Sequence, residues 1–267
     1  MIFVGYLLSI LMGIVLGTIG AGGSILILPI LVYFIGINPT LATSYSLIIV
    51  GFTALVGSIK YIKNNQINLI VSLTFVIPSL LTIYLTRRYF VPMFPDSINL
   101  GQLIFTKDFM IMILFSLLMF IAAYLMIFSK ETSSNIFNNK LYKNSKIVLE
   151  GSLVGFFTGI IGAGGGFLII PALVIFSGLN MKTAVGTSLF IIFIKSFVGF
   201  IGDVQTGINI NFTLIVIIVL CASSGILIGT KFSKNISSNY LKKVFGYFLI
   251  VISLLIIFKE VAKNNLI

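Results

Sequence analysis

The chain has 267 residues, 58% of them hydrophobic and 9% charged, with a mean hydropathy of +1.19. That leaves too little polar surface to cover a water-soluble globule, and no charge occurs before Lys60, so the composition specifies a polytopic membrane protein. The formal charge of +11 would point to nucleic acid in a soluble domain, but the lysines and arginines collect between apolar runs, where they act as topology signals, and no nucleic-acid partner is expected. There is no histidine, and the single Cys221 sits in an apolar run, which argues against zinc, haem, histidine proton relays and disulfides; no cofactor or metal is expected.

Apolar runs follow in chain order at 3–18, 24–35, 40–59, 69–86, 109–128, 147–161, 167–177, 183–201, 212–230 and 241–258. The first has no basic segment before it and reads as part of the bundle, not as a cleaved signal peptide. A spanning helix needs roughly 20 residues, so the second and seventh runs read as half-helices or short tilted helices. The stretch Arg87 to Asp108, with Pro92 and Pro95, reads as an outer loop, and the Asn-, Ser- and Lys-rich stretch from Ser129 to Lys146 as a cytoplasmic linker. Lys60, Lys63, Lys182, Lys231 and the linker lysines then share the cytoplasmic face, against Arg87, Arg88, Lys107, Lys259 and Lys263 outside. This sidedness puts both termini outside, and it is the same for eight spans as for ten.

The run Gly20-Ala-Gly-Gly-Ser-Ile-Leu-Ile-Leu-Pro29 recurs as Gly162-Ala-Gly-Gly-Gly-Phe-Leu-Ile-Ile-Pro171 at an offset of 142 residues. The same offset superposes Gly13 on Gly155, Gly17 on Gly159, Gly36 on Gly178, Asn38 on Asn180, Ser46 on Ser188 and Gly57 on Gly199. The expected architecture is therefore all-α, with two inverted repeats of about five helical segments at 1–128 and 147–267, joined by the linker 129–146. A dinucleotide fingerprint fails because Ile25 and Phe167 stand where its third glycine is needed, and no Lys-Ser or Lys-Thr completes a phosphate loop. In a membrane, such a cluster lets the backbone leave the helix and exposes amides at the start of the next one, a cradle for an anion. The candidate cradle comprises Gly20, Gly22, Gly23 and Ser24 in the first repeat and Gly162, Gly164, Gly165 and Gly166 in the second. Close helix packing is the competing use of these glycines, and it is the expected one for Gly13 with Gly17 and Gly155 with Gly159.

Lys195 is the one charge well inside an apolar run, and its repeat-equivalent is Thr53. It is a candidate counter-charge for an anion, against the alternative of a lysine that snorkels or pairs for structure. Asp203 follows eight residues later, roughly 12 Å along a helix, too far to pair with Lys195 within that helix. Its place near the helix end suggests an interfacial residue, with ion coupling as the second reading. Hydroxyls cluster after each glycine break, as Thr43-Ser-Tyr-Ser46 and Thr187-Ser188, and Ser46, Thr187 and Ser188 complete the candidate binding set. Glu150 is accounted for by Lys146 four residues earlier and by the helix dipole.

The motif from Gly162 to Leu173, followed by Ala184-Val-Gly-Thr-Ser-Leu189, resembles the signature of the TauE/SafE sulfite-exporter family of membrane permeases, and Gly20 to Pro29 carries the same motif. The resemblance covers nearly the whole chain. It implies a multi-pass inner-membrane transporter of a small anion such as sulfite, sulfoacetate or a related sulfonate, with export as the usual direction. The expected partners are that anion and the bilayer. The rival readings are an anion channel and a non-transporting membrane scaffold or assembly component; an enzyme is disfavoured by the scarcity of catalytic groups.

Overall fold

A computed structural model describes residues 2–100, 103–128, 140–162, 165–208, 210–233 and 236–263. Helix α1 spans Ile2–Ile19, and α2 is broken into a 3-10 turn Ala21–Leu26, an α turn Ile27–Pro29 and a π turn Ile30–Ile35. Then follow α3 (Pro39–Lys63), α4 (Leu69–Met93) and α5 (Lys107–Phe128). The second half repeats the order: α6 (Lys140–Ile161), α7 (Gly166–Pro171, continuing as a π turn Ala172–Phe176), α8 (Met181–Val204), α9 (Phe212–Ser233) and α10 (Ser238–Lys263). Helices α3, α4, α5, α8, α9 and α10 are each long and apolar enough to cross a membrane, whereas α2 and α7 are shorter apolar helices. The chain is thus an all-α polytopic membrane protein with two short, glycine-broken helices.

The breaks have local causes. Pro29 and Pro171 each stand immediately before a π turn; proline lacks the N–H that the preceding turn would use, and the widened turn absorbs the misfit. Gly36 then ends α2 in the left-handed conformation (φ +83°), and Pro39 starts α3 at a position where a missing N–H costs nothing. Asn180 caps α8 by accepting from Thr183 N at 2.9 Å.

Two sequence expectations need correction here. The stretch from Arg87 is not loop: α4 continues through a π turn at Thr86–Phe90 to Met93, with Pro92 just beyond that widened turn. The rest contains a small antiparallel hairpin, β1 (Ser97–Leu100) with β2 (Leu103–Thr106), whose Ser97 faces Thr106. At its end Asp108 accepts from both Thr40 N (3.0 Å) and Thr40 Oγ1 (2.6 Å), anchoring α5 to the start of α3. Of the expected linker, residues 129–139 lie outside the described residues, and α6 already begins at Lys140.

The helices pack in a pattern that exchanges the repeats. Helix α1 lies along α9, and its repeat-equivalent α6 lies along α4, the equivalent of α9. Helices α3 and α8 pack on each other, as do α5 and α10, while α4 also touches α8 and α9 touches α3. Small residues set the closest crossings. Gly13 and Gly17 face the backbone of α9 at Ala222, Gly225 and Gly229, and Gly155 and Gly159 face Ser79, Thr82 and Thr86 of α4. These glycines are packing residues, as their spacing suggests.

Candidate functional site

Both glycine breaks pack on the opposite repeat at equivalent places. Gly20 (φ +80°) sits on Val185 of α8, and Gly162 (φ +81°) sits on Thr43 of α3, the repeat-equivalent of Val185. The 3-10 turn Ala21–Leu26 also packs against the start of α7, so the two breaks lie together between the halves. A pair of cross-repeat hydrogen bonds holds this arrangement. Tyr45 Oη accepts from Asn211 N at 2.8 Å, and the equivalent Thr187 Oγ1 accepts from Asn68 N at 3.0 Å. Asn211 and Asn68 in turn accept from Leu214 N and Val71 N at the starts of α9 and α4.

Tyr45→Phe and Thr187→Val each leave one of these backbone N–H groups without its acceptor. Each is expected to cost about 1–3 kcal/mol of stability, and the double variant should be no worse than additive because the bonds share no residue. Thermal unfolding of the purified variants in detergent measures both quantities.

The two breaks differ sharply in charge. In the second, Gly165 takes the left-handed conformation (φ +62°), and a Cβ there would meet the side chain of Thr158 and lie 3.0 Å from Lys195 Nζ. Lys195 is fully buried and donates to Thr158 Oγ1 at 2.9 Å; the Thr158 hydroxyl in turn donates to Gly155 O at 3.2 Å. No carboxylate lies within ion-pair distance of Lys195 among the described residues. Its ammonium does not snorkel to a surface. At the equivalent place in the first break, Gly23 packs on Leu16 where the second has Thr158, and Thr53 replaces Lys195, its hydroxyl donating to Ile49 O at 2.7 Å.

A second cation stands at the Gly162 end of the charged break. Arg87, 1% exposed, donates through Nη1 to Thr43 Oγ1 at 3.0 Å and forms an ion pair with Asp203 Oδ2 at 3.2 Å. Thr43 is the residue whose backbone Gly162 packs against, so it joins Arg87 to the break. Asp203, expected at an interface, is buried and occupied by Arg87, while Thr206 Oγ1 donates to its carbonyl at 2.7 Å. Arg87, counted from sequence as an outer topology charge, belongs to the interior. Its neighbour Arg88, half-buried, donates instead to Gln205 O at 2.7 Å.

Of the residues singled out from sequence, Gly162, Gly165, Gly166, Lys195 and Asp203 gather around the charged break. Gly20, Gly22, Gly23 and Ser24 form the uncharged break, with Ser24 fully buried. Ser46 and Ser188 are buried in equivalent positions and donate to Thr43 O (2.6 Å) and Val185 O (2.8 Å), the carbonyls of the two residues on which the breaks rest. Thr187 serves the cross-repeat clasp. Gly164 lies outside the described residues. Sequence reasoning left Thr43 out of the binding set and missed Arg87 and Thr158 as site residues. Arg87 sits in a π turn within an apolar span, a signal visible only once the helix is seen to run past Thr86.

Lys195, Arg87 and Asp203 together carry a formal charge of +1 in the protein interior, offset by no other described ionic partner. Such an arrangement suits a monoanion. The comparisons with known proteins agree with a transport role. The family model for Sulfite exporter TauE/SafE matches residues 6–256. A protein of Xylella fastidiosa named "Probable membrane transporter protein" is 27% identical over 268 residues, covering 95% of this chain and 94% of its own. "Probable membrane transporter protein YunE" of Bacillus subtilis is 26% identical over 278 residues, covering 96% and 98%. No solved structure matches the chain. With a whole-length family match, full-length transporter relatives and helices able to span the bilayer, the chain belongs to the TauE/SafE sulfite exporter family and is a multi-pass integral transporter of the cell membrane.

Proposed function

We propose that the protein is a secondary transporter of a small oxyanion, of the sulfite or organosulfonate class, and that the anion binds at the Gly162–Gly166 break between two inverted repeats. The observation that carries this reading is Lys195: fully buried, held by one hydroxyl, and facing a glycine turn. A buried ammonium without a counter-ion costs several kcal/mol, and an anion at the break would offset that cost. The break offers complementary donors. Gly166 and Phe167 lie in the first turn of α7, where amides have no acceptor within the helix and the helix dipole favours negative charge.

The opposite break supplies shape without charge, since Leu16 and Thr53 take the places of Thr158 and Lys195. An anion would therefore sit off the pseudo-symmetry axis, on the side of the second repeat. Burial of Lys195, Arg87, Thr43 and Thr158 corresponds to an occluded conformation, which alternating access would open to one side at a time. The short broken helices α2 and α7 are suited to that motion because their π turns and left-handed glycines already interrupt the regular ladder. The lysine distribution supports a topology with the termini outside and the inter-repeat linker in the cytoplasm. Export is the direction implied by the family.

The test is a thermal-stabilisation screen of the purified protein against sulfite, sulfate, thiosulfate, methanesulfonate, acetate and chloride, followed by counterflow in proteoliposomes with the best binder. Stabilisation by a sulfur oxyanion together with obligatory exchange is the expected result. Stabilisation by none of these anions would dismiss the oxyanion reading, and flux without exchange would make the protein a channel.

A further inference from the structure

Arg87 uses one corner of its guanidinium. Nη1 donates to Thr43 Oγ1 and to Asp203, while Nε and Nη2 are buried and have no hydrogen-bond partner among the described residues. Guanidinium presents five N–H donors in a planar fork, and its Nε–Nη2 edge matches two oxygens on one central atom. Buried polar groups in folded proteins are almost always satisfied, and an unsatisfied charged donor is costly. Arg87 pays that cost in a place where the protein could have avoided it: the equivalent position in the second repeat, on the matching face of α9, is Thr230, whose hydroxyl is satisfied by Leu227 O at 3.1 Å.

The fixed corner also has a clear purpose. Asp203 at 3.2 Å and Thr43 at 3.0 Å lock the guanidinium in place from two different helices, and Thr43 carries the Gly162 turn on its backbone. A group held on one side and bare on the other, beside a candidate anion site with a second buried cation, has the form of a preorganised receptor.

Resting on the anion-transport reading above, we propose that the Nε–Nη2 edge of Arg87 is a bidentate oxyanion seat, with Asp203 as its positioning residue and Lys195 as a separate point charge. Arg87 then sets selectivity. Carboxylate, sulfite and sulfonate groups each present two oxygens to the fork, whereas a halide presents one centre and gains from Lys195 alone. The two cations should accordingly separate in their effects, Lys195 on all anions and Arg87 on oxyanions over halides.

The experiment compares binding of sulfite, methanesulfonate and chloride to wild type, R87K and the double variant R87Q/D203N, in detergent or nanodiscs. R87K keeps a charge for Asp203 but removes the fork, and the double variant removes the buried pair together, so neither leaves Asp203 unpaired. Oxyanion affinity is expected to fall at least about 10-fold in both, with chloride affinity little changed, so that the oxyanion-to-chloride ratio collapses. A merely structural Arg87 would lower all affinities together or none. An unchanged ratio in whichever variant folds, with wild type still binding oxyanions, overturns the seat and leaves the transport reading standing. Wild type that binds none of the three anions overturns both.

Discussion

Lys195→Met is expected to weaken anion binding by roughly 10- to 150-fold, since a buried charge-assisted hydrogen bond is worth about 1.5–3 kcal/mol. The same substitution is expected to raise the thermal stability of the anion-free protein. Methionine fills a similar length of apolar space, and removing a fully buried ammonium with no carboxylate partner relieves a desolvation cost of several kcal/mol. Thr158 loses an incoming hydrogen bond but keeps its own to Gly155 O, so no donor is orphaned. The opposed signs make the result diagnostic. A lysine retained for structure would lose stability on substitution, whereas one retained for a ligand loses affinity and gains stability. Melting curves of the two proteins with and without sulfite give both numbers. A Met variant that is less stable and binds as well as wild type would end the counter-charge role.

Much of this site was readable from the amino-acid order because the repeat is. The 142-residue offset identified both glycine breaks, and it paired Lys195 with Thr53 before any contact was known. What it could not show was which neighbour each break meets, because those neighbours come from the opposite repeat: Val185 for Gly20, Thr43 for Gly162. Arg87 and Arg88 are alike in sequence, yet as successive residues of the π turn they point in different directions, and only packing decides that one pairs with Asp203 while the other reaches the exposed carbonyl of Gln205. A further obstacle is one extra residue in the second repeat between Gly207 and Asn211. Asn65, left-handed at φ +54°, matches Gly207 at the 142-residue offset, but the capping residues Asn68 and Asn211 are separated by 143. Beyond that point the original alignment is out of step by one, which hides the correspondence of Arg87 with Thr230.

The glycine breaks yield the other large effect, at different positions from those the motif alone would favour. Of Gly162, Gly20 and Gly178, three left-handed glycines that differ in how closely they are packed, Gly162→Ala should be the most damaging. At φ +81° a side chain costs about 1–2 kcal/mol in backbone strain. The added Cβ would also meet the backbone of Thr43, including Cα at 2.6 Å, and overpacking against atoms that cannot rotate away costs about 1–3 kcal/mol more. Gly20→Ala, at φ +80°, meets Val185 Cγ1 at 2.7 Å and Cα at 2.9 Å, and the valine side chain can yield in part, so its cost should be smaller. Gly178→Ala supplies the control: φ is +67°, and nothing lies within 4 Å of the added atom, so backbone strain acts alone. The expected order of destabilisation is Gly162, then Gly20, then Gly178, with about 2–5 kcal/mol at the top and about 1–2 kcal/mol at the bottom. Function should follow the same order for a separate reason. Thr43 carries both the Gly162 turn and a hydrogen bond from Arg87, so displacing its backbone moves the guanidinium away from its fixed position. Thermal unfolding ranks stability, and sulfite binding to the folded fraction at low temperature ranks function. If Gly162→Ala matches Gly178→Ala in both, close packing of the break on Thr43 contributes nothing beyond the left-handed turn, and the link from the break to Arg87 is broken.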